Sequence, residues 1–157
     1  MAAQQAAPLT EKTLYILPTT SIPEGISAML AYDPEQSAEA NNSAMNTAFQ
    51  NTHTAMLTYA ARDSVLDGRE IREGDYLILL DGKLIGTASG ESDALQALSR
   101  AVAKIPDLSY ISVFYGAGID ETAANAAAAV LSEVCPDAEI SVMDGGQPIY
   151  YYIISLE

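Results

Sequence analysis

The segment YISVFYGAGIDETAANAAAAVLSEVCPDAEISVMDGGQPIYYYIISLE, residues 110–157, decides the fold of this chain. It begins with an apolar strand pattern over 110–115, continues with an alanine-rich helical pattern, and returns to a strand pattern over 138–143. Strand–helix–strand units cross over right-handed, so these two strands are predicted to be parallel. The connection that follows is too short for a second crossover, so 148–155 is predicted to return antiparallel. Both alternating sets of IYYYIIS are bulky and apolar, which predicts that this last strand lies inside the sheet.

A two-residue Asp-Gly loop upstream gives the clearest local signal. Both central residues of a type I′ turn need positive φ, and Asp81 and Gly82 lie between two apolar runs. Tyr76–Leu80 and Lys83–Thr87 are therefore predicted to form a β-hairpin, followed by a helix with one apolar face. Together with a strand over Met56–Ala61, these elements predict an α/β fold. It has a single mixed β-sheet, helices mainly on one face and a protruding β-hairpin.

The first residues, MAAQQAA, favour a helix, and Pro8 ends that pattern. Because no N-cap precedes them, residues 1–8 are interpreted as the remnant of an upstream helix. This predicts that the chain is an excised C-terminal portion of a larger multidomain protein, with a disordered start as the alternative. Residues 1–157 are predicted to form a single domain. Within it, TLYILP at 13–18 is predicted to be a short buried strand.

Two helices are predicted between residues 21 and 50. Ser21 and Glu24 fit a capping box at the start of the first helix. Its inward stripe is predicted to comprise Ile26, Met29 and Leu30. Asp33 is predicted to cap the second helix. The apolar stripe and the solvated face of the second helix are predicted to be Ala38, Met45, Ala48 and Phe49 on one side and Asn41, Asn42 and Asn46 on the other.

The charge balance narrows the classes of partner. Asp and Glu number 21 against 7 Lys and Arg, which gives a formal net charge of −14. Nucleic acids and anionic membranes both need cations from a protein, so neither is predicted as a partner. The charge is typical of acidic cytosolic solubility, and an acidic docking face is the alternative. No apolar run is long enough for a membrane span, no signal peptide pattern is present, and a single cysteine allows no internal disulfide, so a cytoplasmic location is predicted.

No catalytic constellation is recognisable in the sequence, and neither a catalytic residue nor a metal site is predicted. Gly116-Ala117-Gly118 follows a strand and precedes a helix, where phosphates often bind, but two carboxylates come next and would repel a phosphate. A tight turn with Asp120 as the N-cap is predicted instead. His53 and Cys135 cannot build a closed zinc site. The acidic residues of 63–75 do not match the spacing of a calcium loop, which favours a solvated turn.

Three surfaces are candidates for contact with another protein. Arg62 and Asp63 end a strand, and in a chain so poor in cations Arg62 is predicted to pair with a carboxylate, with an anion contact as the alternative. The loop 144–148 contains two glycines and an amide that could offer hydrogen-bond donors to a partner, or could form only a hairpin turn. The tip of the predicted hairpin is the third candidate. The residues predicted to bind a partner are Arg62, Asp63, Asp81, Gly82, Gly145, Gly146 and Gln147.

Three stretches of the chain resemble the C-terminal domain of the bacterial fatty acid kinase catalytic subunit, the dihydroxyacetone-kinase-like family called FakA. They are MAAQQAA followed by LYILPTTSIPEGISAML, then TYAARDSVLDGREIREGDYLILLDGKLI, and finally DGGQPIYYYIISLE. Each motif is weak by itself, but their order and spacing cover essentially all 157 residues. The resemblance implies a DegV-like C-terminal fragment as the fold.

The resemblance also implies a non-catalytic role. Members of the family carry ATP and Mg²⁺ in a separate N-terminal kinase domain, whose Asp-rich motif is absent from residues 1–157, so no cofactor is expected in this portion. A separate fatty-acid-binding DegV-like protein is the implied partner, which the C-terminal domain engages for phosphoryl transfer. A small-ligand module that holds a fatty acid or an anion is the second hypothesis, and an independent enzyme is the third. Exposed strand edges could also pair two copies as a homodimer.

Overall fold

The structure, a computed structural model, describes residues 4–5, 7–66 and 68–157. The chain divides into two compact units, Met1–Asn51 and Thr52–Glu157. The single domain over residues 1–157 stays a prediction. The predicted helix remnant over 1–8 lies partly outside the described residues, and within them Gln4 and Gln5 are helical and Ala7–Leu9 forms a 3-10 turn.

Two helices form most of the first unit. Helix α1 spans Ile22–Leu30, helix α2 spans Ala38–Gln50, and the two pack against each other. The predicted capping box is confirmed, because the Glu24 amide donates to Ser21 Oγ and the Ser21 amide donates to Glu24 Oε2, both across 3.2 Å. These reciprocal bonds satisfy two backbone donors at the start of α1.

The segments that flank these helices differ from the prediction. Residues 13–18 are extended but pair with no strand of the described chain, so the predicted strand is wrong. Helix α2 begins after Ser37, whose Oγ accepts the Ala40 amide at 3.1 Å, and not after Asp33. Asp33 instead closes a turn, because its Oδ1 accepts the amide of Glu35 across 2.9 Å.

Helix α1 turns inward the face opposite to the predicted one. The buried residues of α1 are Pro23, Ser27 and Ala28. The predicted inward residues are exposed, Ile26 by 38%, Met29 by 73% and Leu30 by 78%. Small side chains on the inward face allow close packing of the backbone, which leaves the bulky side chains outside.

The interior of the first unit also uses a polar residue. Phe49 of the predicted α2 stripe is buried, and so is Asn41, which belongs to the face predicted to be solvated. The Asn41 side chain accepts the Asp33 amide at 2.8 Å and donates to the Asp33 carbonyl at 2.7 Å. Because both groups of this amide are paired, Asn41 can be buried and can hold the turn between the two helices.

The strands of the second unit are β1 (His53–Tyr59), β2 (Ser64–Leu66), β3 (Arg69–Ile71), β4 (Tyr76–Leu80), β5 (Lys83–Ala88), β6 (Tyr110–Tyr115), β7 (Glu139–Asp144) and β8 (Tyr152–Leu156). Six of them form one sheet in the order β5-β4-β1-β8-β6-β7, and β2 and β3 form a separate two-stranded sheet. Strands β6 and β7 run parallel and the other neighbouring pairs run antiparallel, so the main sheet is mixed, as predicted. Strand β8 lies between β1 and β6, which confirms the predicted interior position.

The predicted hairpin of β4 and β5 is confirmed. Asp81 has a φ of 49° and Gly82 a φ of 73°, and two consecutive positive values are what a type I′ turn requires. The hairpin does not protrude, because every residue of β4 pairs with β1 and β5 forms an edge of the main sheet. The element that lies outside the main sheet is instead the pair of β2 and β3.

Two helices cover one face of the main sheet. Helix α3 (Glu91–Val102) contacts β4 and β5, helix α4 (Glu121–Val134) contacts β6 and β7, and the helices contact each other. Their buried residues join alternate residues of the strands in one hydrophobic core, which confirms the prediction of helices on one face. The centre of this core comprises Leu57, Ile78, Leu98, Ile111, Leu131 and Ile154.

Candidate functional site

The strand register places the predicted partner-binding residues at two opposite ends of the main sheet. Asp81 and Gly82 follow Leu80, which pairs with Ala55 near the start of β1. The loop 144–148 follows β7 at the other end, where Tyr115 pairs with both Asp144 and Tyr152. Arg62 and Asp63 follow β1 at this same end, which we call the carboxyl edge because β1, β6 and β7 all end there. Five of the seven predicted residues therefore share one edge, and the hairpin tip does not.

Asp81 performs a structural task at the opposite edge. Its Oδ1 accepts the amide of Thr54 at 2.9 Å, and its Oδ2 lies 2.8 Å from Nδ1 of His53. The Asp81 amide in turn donates to the Thr54 carbonyl at 2.8 Å. The carboxylate therefore fixes the turn to β1 and holds the imidazole of His53. Within the described residues, no three His, Cys, Asp or Glu side chains lie close enough together to hold a metal ion.

The glycine-rich loop at the carboxyl edge directs its donors inward. The amides of Gly145 and Gly146 donate to the Tyr115 carbonyl at 2.9 and 3.3 Å. The side-chain amide of Gln147 donates to the Phe114 carbonyl at 2.9 Å. The loop thus joins the ends of β6 and β7, and the donors that the sequence suggested for a partner are used within the fold. Contact between this loop and a partner stays a prediction.

The Gly116-Ala117-Gly118 turn is a tight turn, as predicted. The Gly116 amide donates to the Tyr151 carbonyl and the Ala117 amide donates to the Gln147 carbonyl, both at 2.9 Å. Asp120 caps helix α4, because its Oδ1 accepts the amide of Ala123 at 2.8 Å. The first two amides of the turn are therefore already bonded to the chain, which leaves them unable to bind a phosphate.

Tyrosines connect the strands at the carboxyl edge. The ring of Tyr151 lies 6.0 Å from that of Tyr59 and 5.1 Å from that of Tyr76, measured between centroids. The fully buried Tyr152 donates its hydroxyl to Oε1 of Glu91 at 2.8 Å. Burial, and then the hydrogen bond to Glu91, raise the pKa of Tyr152. The tyrosine run is thus packing, as predicted, while the role of Glu91 was missed because its partner is distant in sequence.

The separate pair of β2 and β3, with residues 60–63 and 72–75 at its base, is called the ribbon. The Ala60 amide donates to the Asp75 carbonyl at 2.8 Å, and the Gly74 amide donates to the Ala60 carbonyl at 2.9 Å. Two carboxylates reinforce this base, since Asp63 Oδ1 accepts the Glu73 amide at 2.7 Å and Asp75 Oδ2 accepts the Arg72 amide at 2.9 Å. The acidic turn predicted from the sequence is therefore a hydrogen-bonded base for two short strands.

The ribbon presents apolar side chains to solvent. Val65 is 69% exposed and Leu66 is 46% exposed, whereas Ile71 is buried at 4% exposure. Together with Asp63 and Arg72, these strands line an open hollow of about 380 Å³. An exposed valine and leucine beside a concave surface are features of a protein-contact site.

The ribbon also holds a large share of the cations in an acidic chain. Arg62, Arg69 and Arg72 are three of the seven Lys and Arg residues. Among the described residues, no carboxylate lies within 4.0 Å of the guanidinium of Arg62 or Arg72, and the ion pair predicted for Arg62 is not found. The reason is that Asp63 and Asp75 accept backbone amides instead. Sequence reasoning selected Arg62 but missed Arg72 and the two apolar residues, although an alternating Ser-Val-Leu strand was readable.

Two other features bear on chemistry and location. Burial raises the pKa of the half-buried Cys135 thiol, which disfavours the thiolate that a nucleophile needs. In the part of the chain that the structure describes, the helices are all too short or too polar to cross a lipid bilayer.

Comparisons with known proteins bear on family and fold. The model of the FakA-like C-terminal family, a family of fatty acid kinases, matches residues 1–157. Protein YloV of Bacillus subtilis is 35% identical over 158 residues, and an uncharacterized protein of Staphylococcus haemolyticus is 33% identical over 157. Both matches cover 100% of this chain, which spans only 28% of the length of either relative.

Two solved structures share the fold. One is a fatty acid binding DegV family protein from Streptococcus agalactiae, with a TM-score of 0.57 and 12% identity over 99% of this chain and 63% of that chain. The other is a DegV family protein from Thermus thermophilus, described by its fatty acid binding, with a TM-score of 0.53 and 18% identity over 85% of this chain and 55% of that chain. Identities this low relate the folds alone, and the prediction of a DegV-like fold is confirmed.

Proposed function

Because the chain belongs to the FakA-like C-terminal family of fatty acid kinases, we propose that it is the non-catalytic docking domain of a two-component fatty acid kinase. A kinase domain elsewhere in the longer protein binds ATP and Mg²⁺ and transfers the phosphoryl group. A separate fatty-acid-binding DegV-like protein presents the acyl carboxylate, and this domain holds that protein in place. The 28% share of the relatives' length leaves ample room for such a kinase domain.

The ribbon is the observation that supports this proposal best. Arg62 and Arg72 have no ion-pair partner among the described residues, although the chain carries a net charge of −14. They lie beside the exposed side chains of Val65 and Leu66. Arginine beside apolar residues is enriched at protein interfaces, where its planar group binds carboxylates in two hydrogen bonds. We therefore assign docking to the ribbon and expect it to meet a partner surface of carboxylates around an apolar patch.

The bonding of the other polar groups supports the non-catalytic part of the proposal. His53 is held by Asp81, and the thiol of Cys135 has a raised pKa. The first two amides of the glycine turn at 116–118 bond to the chain itself. Each group that could have served as a base, a nucleophile or a phosphate cradle has a structural explanation.

A titration with the fatty-acid-binding DegV-like protein tests the proposal. The double variant Arg62→Ala/Arg72→Ala should weaken binding by about tenfold or more, since two interface arginines are lost. The matched control is Arg100→Ala, which removes an exposed arginine from α3. Unchanged affinity in the double variant would refute docking through the ribbon, and a domain that binds no partner at all would refute the docking function.

A ligand-binding module is the second candidate function. The first unit contains an apolar hollow of about 200 Å³ lined by Tyr15, Leu17, Tyr32 and Met45 among others. The solved neighbours described as fatty acid binding favour this interpretation. The hollow is smaller than the roughly 300–1,000 Å³ usual for ligand pockets, so it ranks second. Native mass spectrometry of the chain with and without added fatty acid tests it, because a bound acyl chain would appear as a discrete mass increase.

A further inference from the structure

Helix α1 in the first unit exposes an apolar stripe that the docking proposal does not use. Ile22 is 61% exposed, Ile26 38%, Met29 73% and Leu30 78%. These residues follow the i, i+4, i+7, i+8 spacing of a single helix face. The face is continuous, and it is opposite to the buried residues of the same helix.

The helix carries almost no charge that would favour exposure to water. Its sequence is IPEGISAML, in which Glu24 is the single charged residue. The Glu24 carboxylate bonds to the Ser21 amide in the capping box, so it lies at the start of the helix. A helix that is apolar on both faces is normally buried on both faces. The exposed stripe is therefore a surface built to be covered, and what covers it is uncharged and apolar.

The comparisons indicate where the covering surface comes from. The matched family is a C-terminal one, and the chain spans 28% of YloV, so most of such a protein precedes the matched region. The solved neighbour from Streptococcus agalactiae matches this chain over 63% of its own length, so more than a third of that fold has no counterpart here. Helix α1 lies in the first unit, adjacent in sequence to that preceding region.

We propose that the exposed stripe of α1 is an intramolecular interface, covered in the full-length kinase by an apolar surface of the region that precedes residue 1. The inference rests on the proposed function. The stripe joins this domain to the rest of its own polypeptide, while the ribbon faces the separate partner. The two surfaces belong to different units of the chain, so each can fail without the other.

Methionine oxidation tests this assignment without any substitution. Met29 is 73% exposed and Met143 is 39% exposed, so both should oxidise readily in residues 1–157 treated with hydrogen peroxide. In the full-length kinase, oxidation of Met29 should slow by about tenfold, because it then needs a transient opening of the interface, while Met143 stays reactive. Peptide mass spectrometry reads both rates in one sample.

The other outcomes each overturn the proposal. Equal Met29 rates in both proteins mean that the stripe is not covered. Protection in residues 1–157 that grows with concentration means that a second copy covers it. Protection that appears only after the DegV-like protein is added assigns the stripe to that partner. Equal protection of Met29 and Met143 in the full-length kinase means that the effect is not confined to α1.

A pair of variants gives an independent readout. Met29→Glu/Leu30→Glu should leave the Tm of residues 1–157 unchanged, because both side chains are exposed there. The same change should lower the Tm of the full-length kinase by several degrees, since it places two charges in an apolar interface. Val65→Glu, at a residue that is 69% exposed, is the matched control and should leave both Tm values unchanged. An unchanged Tm of the full-length kinase with the double variant would overturn the proposal.

Discussion

The hydroxyl of Tyr152 donates to Oε1 of Glu91 across 2.8 Å, and this bond joins the first residue of β8 to the first residue of α3. Tyr152 is fully buried in the hydrophobic core. Tyr152→Phe keeps the ring and removes the donor, so we expect a loss of about 1–3 kcal/mol in the free energy of unfolding, typical of a hydrogen bond to a charged group. Urea denaturation measures it.

The control for that variant is Tyr150→Phe, because the half-buried Tyr150 makes no side-chain hydrogen bond among the described residues. It should unfold at the same urea concentration as the unchanged protein. Equal stability of Tyr152→Phe and Tyr150→Phe would show that the bond to Glu91 contributes nothing.

The same tyrosine predicts a loss of stability in alkali. Burial and the bond to Glu91 raise the pKa of Tyr152 above its ordinary value of 10.0. Above that pH the unfolded chain has released the phenol proton and the folded chain still holds it. Stability is therefore full below about pH 10 and falls as the pH rises beyond it. Urea denaturation near pH 9 and near pH 11 should show this fall, and Tyr152→Phe should reduce it. An equal fall in both proteins would contradict the assignment to Tyr152.

Asp81 predicts a graded effect on the hairpin turn. Its two carboxylate oxygens contact the Thr54 amide and His53, and its φ is positive. Asp81→Ala removes both contacts and should cost about 1–3 kcal/mol in unfolding free energy, since it leaves a partly buried amide unpaired. Asp81→Asn keeps an acceptor and tolerates positive φ, so it should cost less. Chemical denaturation ranks the two variants, and equal losses would mean that the Thr54 amide does not depend on Asp81.

Gly116 predicts a steric effect at the carboxyl edge. A Cβ atom at this position would overlap the backbone carbonyl oxygens of Tyr150 and Gln147, neither of which is the end of a flexible side chain. Gly116→Ala should therefore destabilise the protein by about 1–3 kcal/mol, the usual cost of overpacking. Gly90→Ser is the matched control, because a Cβ there meets nothing within 4 Å and serine is a good N-cap. A thermal melt that gave Gly116→Ala the same Tm as the control would contradict the close approach of these chains.

The ribbon predicts salt-dependent binding to the proposed partner. If Arg62 and Arg72 meet carboxylates of the DegV-like protein, its affinity should fall as the salt concentration rises, because ions screen exposed pairs. Arg62→Ala/Arg72→Ala should make the affinity both weaker and less sensitive to salt. Isothermal titration at low and at physiological ionic strength measures both effects. An equal dependence on salt in the two proteins would assign the electrostatic contribution to other residues.

The parts of the fold that were predictable depend on neighbours in sequence. The Asp81-Gly82 turn requires two positive φ values, and the β6-α4-β7 unit follows from the handedness of crossovers. The burial of α1 was not predictable in this way. Its bulkier stripe of Ile26, Met29 and Leu30 is the exposed one, because burial depends on which surface is available and not on hydrophobicity alone.

The candidate site shows the same division. The sequence indicates which residues can donate hydrogen bonds, but it does not indicate which donors the fold itself uses. Gly145, Gly146 and Gln147 were selected for their donors, which bond to the carbonyls of Tyr115 and Phe114. Arg72 was not selected, and its free guanidinium became visible only when Asp75 was found to bond to its backbone amide.

The place of β8 between β1 and β6 has a consequence for synthesis on the ribosome. While residues 152–156 are still inside the exit tunnel, the nascent chain can form the fragment β5-β4-β1 and the fragment β6-β7, but nothing joins them. Both fragments then present an open backbone edge that could pair with another polypeptide. Correct folding must therefore wait for this strand to emerge, and we expect chaperone contacts to concentrate in that interval.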